Sequence, residues 1–109
     1  MGRQDGPDAL RRAGEASVLI LISLADGPKH GYALIQDIKA LAGVALGPGT
    51  LYGALDRLER LALIESLPAD DRRHPYRITA PGAAALREHL DSLERVSAAG
   101  RLRLQLGGI

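Results

Sequence analysis

The chain has 109 residues, a length that fits a single domain and leaves it a marginal hydrophobic core. It contains no cysteine, which excludes disulfides and cysteine-ligated metal sites and is compatible with the reducing cytoplasm in which we expect it to act. The net charge is only +1, and the aromatic residues are three tyrosines, which argues against a base-stacking platform for single-stranded nucleic acid.

Two helices are predicted in the first half of the chain, after an N-terminal arm, residues 1–14, that we expect to be flexible. Apolar residues at helical spacing predict the first helix over about 15–25. Its apolar face comprises Val18, Leu19 and Ile22, with Leu21 as a further candidate. A second helix is predicted over about 31–41. Its apolar stripe comprises four residues: Leu34, Ile35, Ile38 and Leu41.

A third helix is predicted from Pro48 to about Leu61, with proline in its first turn. Leu51, Leu55 and Leu58 recur on one face, which we expect to pack in the core. The opposite face carries small, hydroxyl and charged residues, as a helix that enters the major groove requires. The alternative is an ordinary amphipathic surface helix, and Asp56 counts against a purely electrostatic role because its charge repels phosphate.

A β-hairpin is predicted next, with strands over 64–67 and 76–78. Its charged loop contains Arg72, Arg73 and His74, side chains suited to contact with a DNA backbone or minor groove. The alternative is a solvated loop in which Asp70 and Asp71 neutralise the arginines.

The last helix is predicted from about 82 to at least 98, with Thr79 as its N-cap and Pro81 in the first turn. Its apolar seam has nothing left to pack against within one small domain, and such a stripe usually marks an interface. We therefore expect the seam to bury against the first and last helices of a second copy. The predicted dimerisation residues are Leu86, Leu90, Leu93 and Val96.

Three helices, a two-stranded wing and a final helix describe an α+β winged helix-turn-helix with a C-terminal dimerisation helix. We assign residues 15–80 to the winged helix-turn-helix and 81–106 to the dimerisation helix. The three histidines, His30, His74 and His89, fall on different elements without metal-ligand spacing. No nucleophile elbow or phosphate-binding loop occurs, and we expect no enzyme activity, metal or cofactor.

The motifs His30-Gly31-Tyr32 and Pro48-Gly49-Thr50-Leu51-Tyr52, followed by Tyr76-Arg77-Ile78-Thr79, resemble the DNA-binding domain of the PadR family over roughly residues 17–86. The resemblance implies a homodimeric repressor whose third helix lies in the major groove with the wings alongside. It implies that Tyr32 opens the second helix near the phosphates, although a tyrosine there also fits a packing role. The tryptophan that some short relatives place in a drug-binding pore is absent.

The function predicted from these observations is sequence-specific binding of duplex DNA at an inverted-repeat operator by a repressor that a small-molecule effector releases. The alternative is a winged-helix module that binds proteins and not DNA, which the near-neutral charge and Asp56 support. The predicted DNA-binding residues are His30, Tyr32, Gly49, Thr50, Tyr52, Gly53, Arg57, Arg72, Arg73 and His74.

Overall fold

The computed structural model describes residues 14–68 and 74–108, so most of the predicted arm lies outside it. The described residues form α1 (Glu15–Leu24), α2 (Gly31–Ala42), α3 (Pro48–Arg60), β1 (Ile64–Ser66), β2 (Tyr76–Ile78) and α4 (Ala80–Leu106). The strands pair antiparallel, with Ile64 opposite Ile78 and Ser66 opposite Tyr76. The α+β fold with its C-terminal helix is confirmed.

Local chemistry accounts for the helix ends. Gly43 ends α2 in the left-handed conformation, with a φ of 70°, which glycine adopts without a steric penalty. Pro48 occupies the first turn of α3. Thr79 caps α4, since its hydroxyl accepts a hydrogen bond of 3.0 Å from the backbone N–H of Gly82, which confirms the predicted cap.

The connection between α1 and α2 is tied to the wing by a backbone bridge that the sequence analysis missed. Lys29 and Tyr76 exchange two backbone hydrogen bonds, of 2.9 and 3.1 Å. The Lys29 ammonium also bonds the Asp26 carboxylate at 2.7 Å and the backbone carbonyl of Ser23. This bridge fixes the segment that leads into α2.

The apolar face predicted for α1 is correct only at Leu21. Ile20, Leu21 and Leu24 are buried, whereas Val18, Leu19 and Ile22 are only partly buried. Because Val18 to Ile22 are all apolar, periodicity did not distinguish the two sides of this helix. The inward side also carries Ser17 and Ser23, and the Ser23 hydroxyl donates to the Asp37 carboxylate at 2.6 Å.

The core faces of α2 and α3 are mostly as predicted. Leu34 and Ile38 are buried in α2, as are the three predicted leucines of α3: Leu51, Leu55 and Leu58. Leu41 is an exception, since it lies in the last turn of α2, beyond the buried part of that helix, and is exposed.

The first turns of α4 belong to the domain core. Gly82, Ala85 and Leu86 are buried, and the backbone of Gly82 packs so closely on the Leu63 carbonyl that a Cβ atom would overlap the oxygen. The expectation that Leu86 has nothing to pack against within one domain is therefore wrong. Leu90, Leu93 and Val96, by contrast, are exposed. Across residues 14–68 and 74–108, no helix combines the length and apolar character needed to cross a bilayer.

Candidate nucleic-acid interface

The outward face of α3 carries the predicted contact residues. Gly49, Thr50, Tyr52 and Arg57 are exposed, and Gly53 is half-buried. The three core leucines fix the rotation of the helix about its axis, because they lie at i, i+4 and i+7 on the opposite side. The structure therefore brings the five predicted residues of α3 to one accessible side of the domain.

The two glycines of this face are open to solvent in the described structure. A Cβ atom built on Gly49 would meet no atom within 4 Å, and one on Gly53 would meet only Nη1 of Arg57, at 3.8 Å. Packing within the described residues therefore does not require glycine at either position. Their lack of a side chain leaves room for another backbone to approach the helix.

Tyr52 connects α3 to the start of α2. Its side chain is half-exposed, and its phenol end lies over Gly31, the first residue of α2. Tyr52 thus lies at the margin of the core face of α3. The hydroxyl therefore lies beside the N-terminus of α2.

Tyr32 does not pack in the core, since its side chain is 65% exposed. Its hydroxyl oxygen accepts a hydrogen bond of 3.2 Å from the Gln36 side-chain amide one turn further along α2. Because the oxygen accepts this bond, the hydroxyl hydrogen can still donate to an outside acceptor. Gln36 was not predicted as part of the site, because its role depends on the exposed position of Tyr32.

The N-termini of α2 and α3 differ from that of α4. In the described part of the chain, no side chain caps α2 at His30 or α3 at Gly47, whereas Thr79 caps α4. The first-turn N–H groups of α2 and α3 therefore keep their capacity to donate to an anion, which the helix dipole also favours. The Nδ1 atom of His30 is enclosed by protein and has no partner among the described residues.

The charges on α3 partly neutralise one another. Asp56 pairs with Arg60 at 3.1 Å, with both side chains well exposed. An exposed pair of this kind is weak and screened by salt, but it reduces the repulsion that Asp56 exerts on phosphate. The Arg57 guanidinium reaches back one turn towards Gly53, on the side where a ligand would approach.

The wing is described only in part, because Arg72 and Arg73 lie outside the described residues, as do Asp70 and Asp71. Arg77 pairs across the strands with Glu65 at 2.5 Å. His74 lies edge-on to the Tyr76 ring, with 5.6 Å between ring centres. Burial, followed by the charges of Glu59 and Tyr52, raises the pKa of Tyr76 above its usual 10.0, which keeps this phenol neutral between the wing and α3.

Lys29 stabilises the segment that leads into α2. Its hydrogen bond and positive charge lower the pKa of Asp26 below its usual 3.8, so the ion pair persists over the neutral pH range. The pair and the bridge to Tyr76 together position the residues that follow, from His30 to Tyr32. In residues 14–68 and 74–108, no three His, Asp or Glu side chains are grouped to hold a metal ion.

Comparisons with known proteins agree with this geometry. The model of the transcriptional regulator PadR-like family matches residues 20–88. The chain is 43% identical over 86 residues to an uncharacterized 37.1 kDa protein in a transposon of Streptomyces fradiae, which covers 79% of this chain and 25% of that protein. It is 41% identical over 81 residues to a transcriptional regulator of Mycobacterium tuberculosis, which covers 72% of this chain and 75% of the regulator.

A solved structure gives the same result. The X-ray structure of a PadR-like transcription factor from Bacteroides fragilis is similar with a TM-score of 0.74 at 25% identity, covering 84% of this chain and 91% of that one. The chain spans only about a quarter of the Streptomyces protein but three quarters of the mycobacterial regulator. The family match covers more than half of the chain. The chain therefore belongs to the PadR-like family of transcriptional regulators.

Proposed function

We propose that the protein binds duplex DNA as a homodimer, with α3 of each subunit in the major groove, and regulates transcription from an inverted-repeat operator. The observation that carries the proposal is the outward face of α3, which combines open glycines with an exposed arginine and with a tyrosine that reaches the start of α2. Among the described residues, no side chain caps the N-terminus of α2 or of α3. These features suit a close approach by an anionic backbone.

Each exposed residue of α3 has a role that its position favours. Thr50 lies in the first turn, where a hydroxyl reaches a phosphate or a base edge. Tyr52 donates its hydroxyl to the backbone beside the start of α2. Arg57, one turn beyond Gly53, contacts a guanine or a flanking phosphate.

The start of α2 and the wing supply further backbone contacts in this proposal. Tyr32 donates its free hydroxyl hydrogen to phosphate, and His30 holds the entry to α2. Arg72, Arg73 and His74 contact phosphate or the minor groove, which raises affinity more than sequence choice.

The dimer forms, we propose, through α1 and α4. The outer side of α1 presents Val18, Leu19 and Ile22, which remain partly exposed although the helix has few polar residues. A helix that is apolar all round is normally covered on every side. Helix α4 packs against α1, and its outer part extends the apolar surface with Leu90 and Leu93. A second copy supplies the matching cover.

The outer face of α4 is self-complementary in charge. A shallow concavity of about 470 Å³ on this face is lined by Leu90, Leu93, Glu94, Ser97, Ala98 and Arg101. In an antiparallel pairing about a two-fold axis between Ser97 and Ala98, Glu94 lies opposite Arg101 of the partner subunit. The small residues at the axis allow the helices to approach closely, and the pairing forms two ion pairs per dimer.

A two-fold dimer presents two α3 helices related by symmetry. If both enter the major groove on one face of B-DNA, their half-sites lie about 10 base pairs apart, and the operator is an inverted repeat.

Such a dimer covers promoter DNA and represses transcription by excluding the polymerase. A small-molecule effector releases the protein from DNA if it binds the DNA-free conformation more tightly than the DNA-bound conformation. A reporter driven by the selected operator tests repression directly.

Selection of bound duplexes from a random pool, followed by binding titrations at several salt concentrations, tests the proposed function. We expect an inverted repeat to emerge and its affinity to fall steeply with salt, because phosphate contacts release counterions. Replacing Arg72 and Arg73 with alanine should weaken binding to all duplexes and flatten the salt slope by about one to two units. Failure to enrich any duplex would instead favour the protein-interaction module.

A further inference from the structure

Gly31 is the described glycine at which a side chain would collide with the hydroxyl of Tyr52. A Cβ atom at this position would overlap the hydroxyl oxygen of Tyr52 and lie 3.0 Å from its Cζ atom. The next nearest atom, Cδ2 of Leu51, lies at an ordinary contact distance of 3.5 Å. The space left by the absent side chain at Gly31 is therefore occupied by the end of the Tyr52 side chain.

The contrast with Gly82 shows why this matters. A Cβ atom on Gly82 would overlap the backbone carbonyl of Leu63, so glycine there is required by main-chain packing. At Gly31 the obstructing atoms are the far end of one side chain, which can move without disturbing the backbone. A side chain at position 31 would therefore displace the Tyr52 hydroxyl but would not disturb the fold.

We propose that Gly31 is a positioning residue for DNA binding, because its lack of a side chain leaves the space in which the Tyr52 hydroxyl lies beside the start of α2. The inference rests on the proposed function, in which that hydroxyl donates to the DNA backbone. On this view, glycine is needed at the first position of α2 for the contact with Tyr52 and not for chain flexibility.

The effect of alanine at position 31 distinguishes positioning from structure. Gly31 has an ordinary helical backbone, since its φ is not among the positive values. Alanine is favoured over glycine in helices, so Gly31→Ala should keep or slightly raise the thermal stability. The same methyl group pushes the Tyr52 hydroxyl outward and away from the α2 terminus. Stability and DNA affinity should therefore change in opposite directions.

The test is a double-mutant cycle measured by titration of the operator selected with the wild-type protein. Gly31→Ala should weaken binding about fivefold per half-site, or about 25-fold for the dimer, as expected for a displaced hydrogen bond. In the Tyr52→Phe background the same change should cost less than about twofold, because the hydroxyl is already gone. Tyr32→Phe is the matched control, since that hydroxyl bonds Gln36 one turn further along α2, and there the full loss should remain.

The outcomes separate this inference from the proposed function. A wild-type protein that selects no operator would overturn the proposed function itself. A wild-type protein that binds, together with equal losses from Gly31→Ala in all three backgrounds, would overturn the role of Gly31 alone. Thermal melting of each variant supplies the second readout. If Gly31→Ala and its Tyr52→Phe double variant are equally destabilised, Gly31 serves main-chain packing and the inference is wrong.

Discussion

The two halves of α4 carry parts of one apolar stripe but have different surroundings. In the inner half, Gly82, Ala85 and Leu86 are buried against the domain, and Leu86 is 6% exposed. In the outer half, Leu90 and Leu93 continue the apolar stripe, yet Leu93 is 49% exposed. One continuous helix thus carries a stripe whose first turns stabilise the domain and whose later turns remain uncovered.

This difference shows that helical periodicity defines an apolar face but does not identify what covers it. Leu86, Leu90 and Leu93 are spaced at i, i+4 and i+7, so they share one side of the helix. The domain ends along α4 between Leu86 and Leu90, and the exposed apolar residues beyond that point mark a proposed interface. Substitutions at the two ends should therefore affect two different equilibria.

The largest effect is expected at the inner end. Leu86→Ala should lower the free energy of unfolding by about 2–5 kcal/mol, because it removes buried methyl groups and leaves a cavity. Denaturant titrations at several protein concentrations measure this loss, and the loss should persist at concentrations where the protein is a monomer. A change of less than about 0.5 kcal/mol would contradict the placement of Leu86 in the domain core.

A substitution at the outer end should act on assembly instead. Leu93→Arg should raise the dissociation constant of the proposed dimer by about 30-fold or more, because it places an unpaired charge in the proposed interface. Sedimentation equilibrium measures the association, and circular dichroism should show the helical content of a folded monomer. A Leu93→Arg variant that remains as dimeric as the wild type would show that this face is not the interface.

The cap at the start of α4 provides a smaller test of the inner end. The Thr79 hydroxyl accepts from Gly82 N–H and donates to the Ala62 carbonyl at 2.8 Å. Thr79→Ala should lower the free energy of unfolding by about 1 kcal/mol, whereas Thr79→Ser, which keeps the hydroxyl, should lose much less. Both variants should dimerise normally once folded, so a dimerisation defect would indicate that the two halves are coupled.

The smallest effect is expected from the charges of the outer end. Glu94→Arg and Arg101→Glu should each raise the dimer dissociation constant by about threefold, because each places like charges opposite one another. The double exchange should restore the wild-type value, since the opposite charges face each other again. Arg95→Glu is the control for the change in net charge caused by Arg101→Glu. Additive losses in the double variant would contradict the antiparallel register about Ser97 and Ala98.

The sequence predicted the fold because its local signals agree. Pro48 and the spacing of Leu51, Leu55 and Leu58 placed α3 and its outward face, and Thr79 marked the start of α4. The apolar face of α1 was only partly predicted, because Val18 to Ile22 are all apolar and periodicity could not separate the two sides. The burial of Leu86 was missed because it depends on where the domain ends along α4.

The parts of the candidate site that the sequence did not predict are contacts between distant residues. The bridge from Lys29 to Tyr76 and the approach of Tyr52 to Gly31 join segments far apart in the chain. No local periodicity encodes such contacts. The only available signal was the glycine that begins α2, which a strong helix former would otherwise occupy.

The most direct test of the account is the binding of the full chain to its selected operator before and after insertion of about five base pairs, half a helical turn, at the operator centre. The insertion moves one half-site to the opposite face of the duplex while leaving both half-site sequences intact. A homodimer with one α3 helix in each half-site should lose specific binding, while an insertion of about ten base pairs should restore part of it. If the operator with the half-turn insertion binds as tightly as the original, the paired recognition helices proposed for this protein are contradicted.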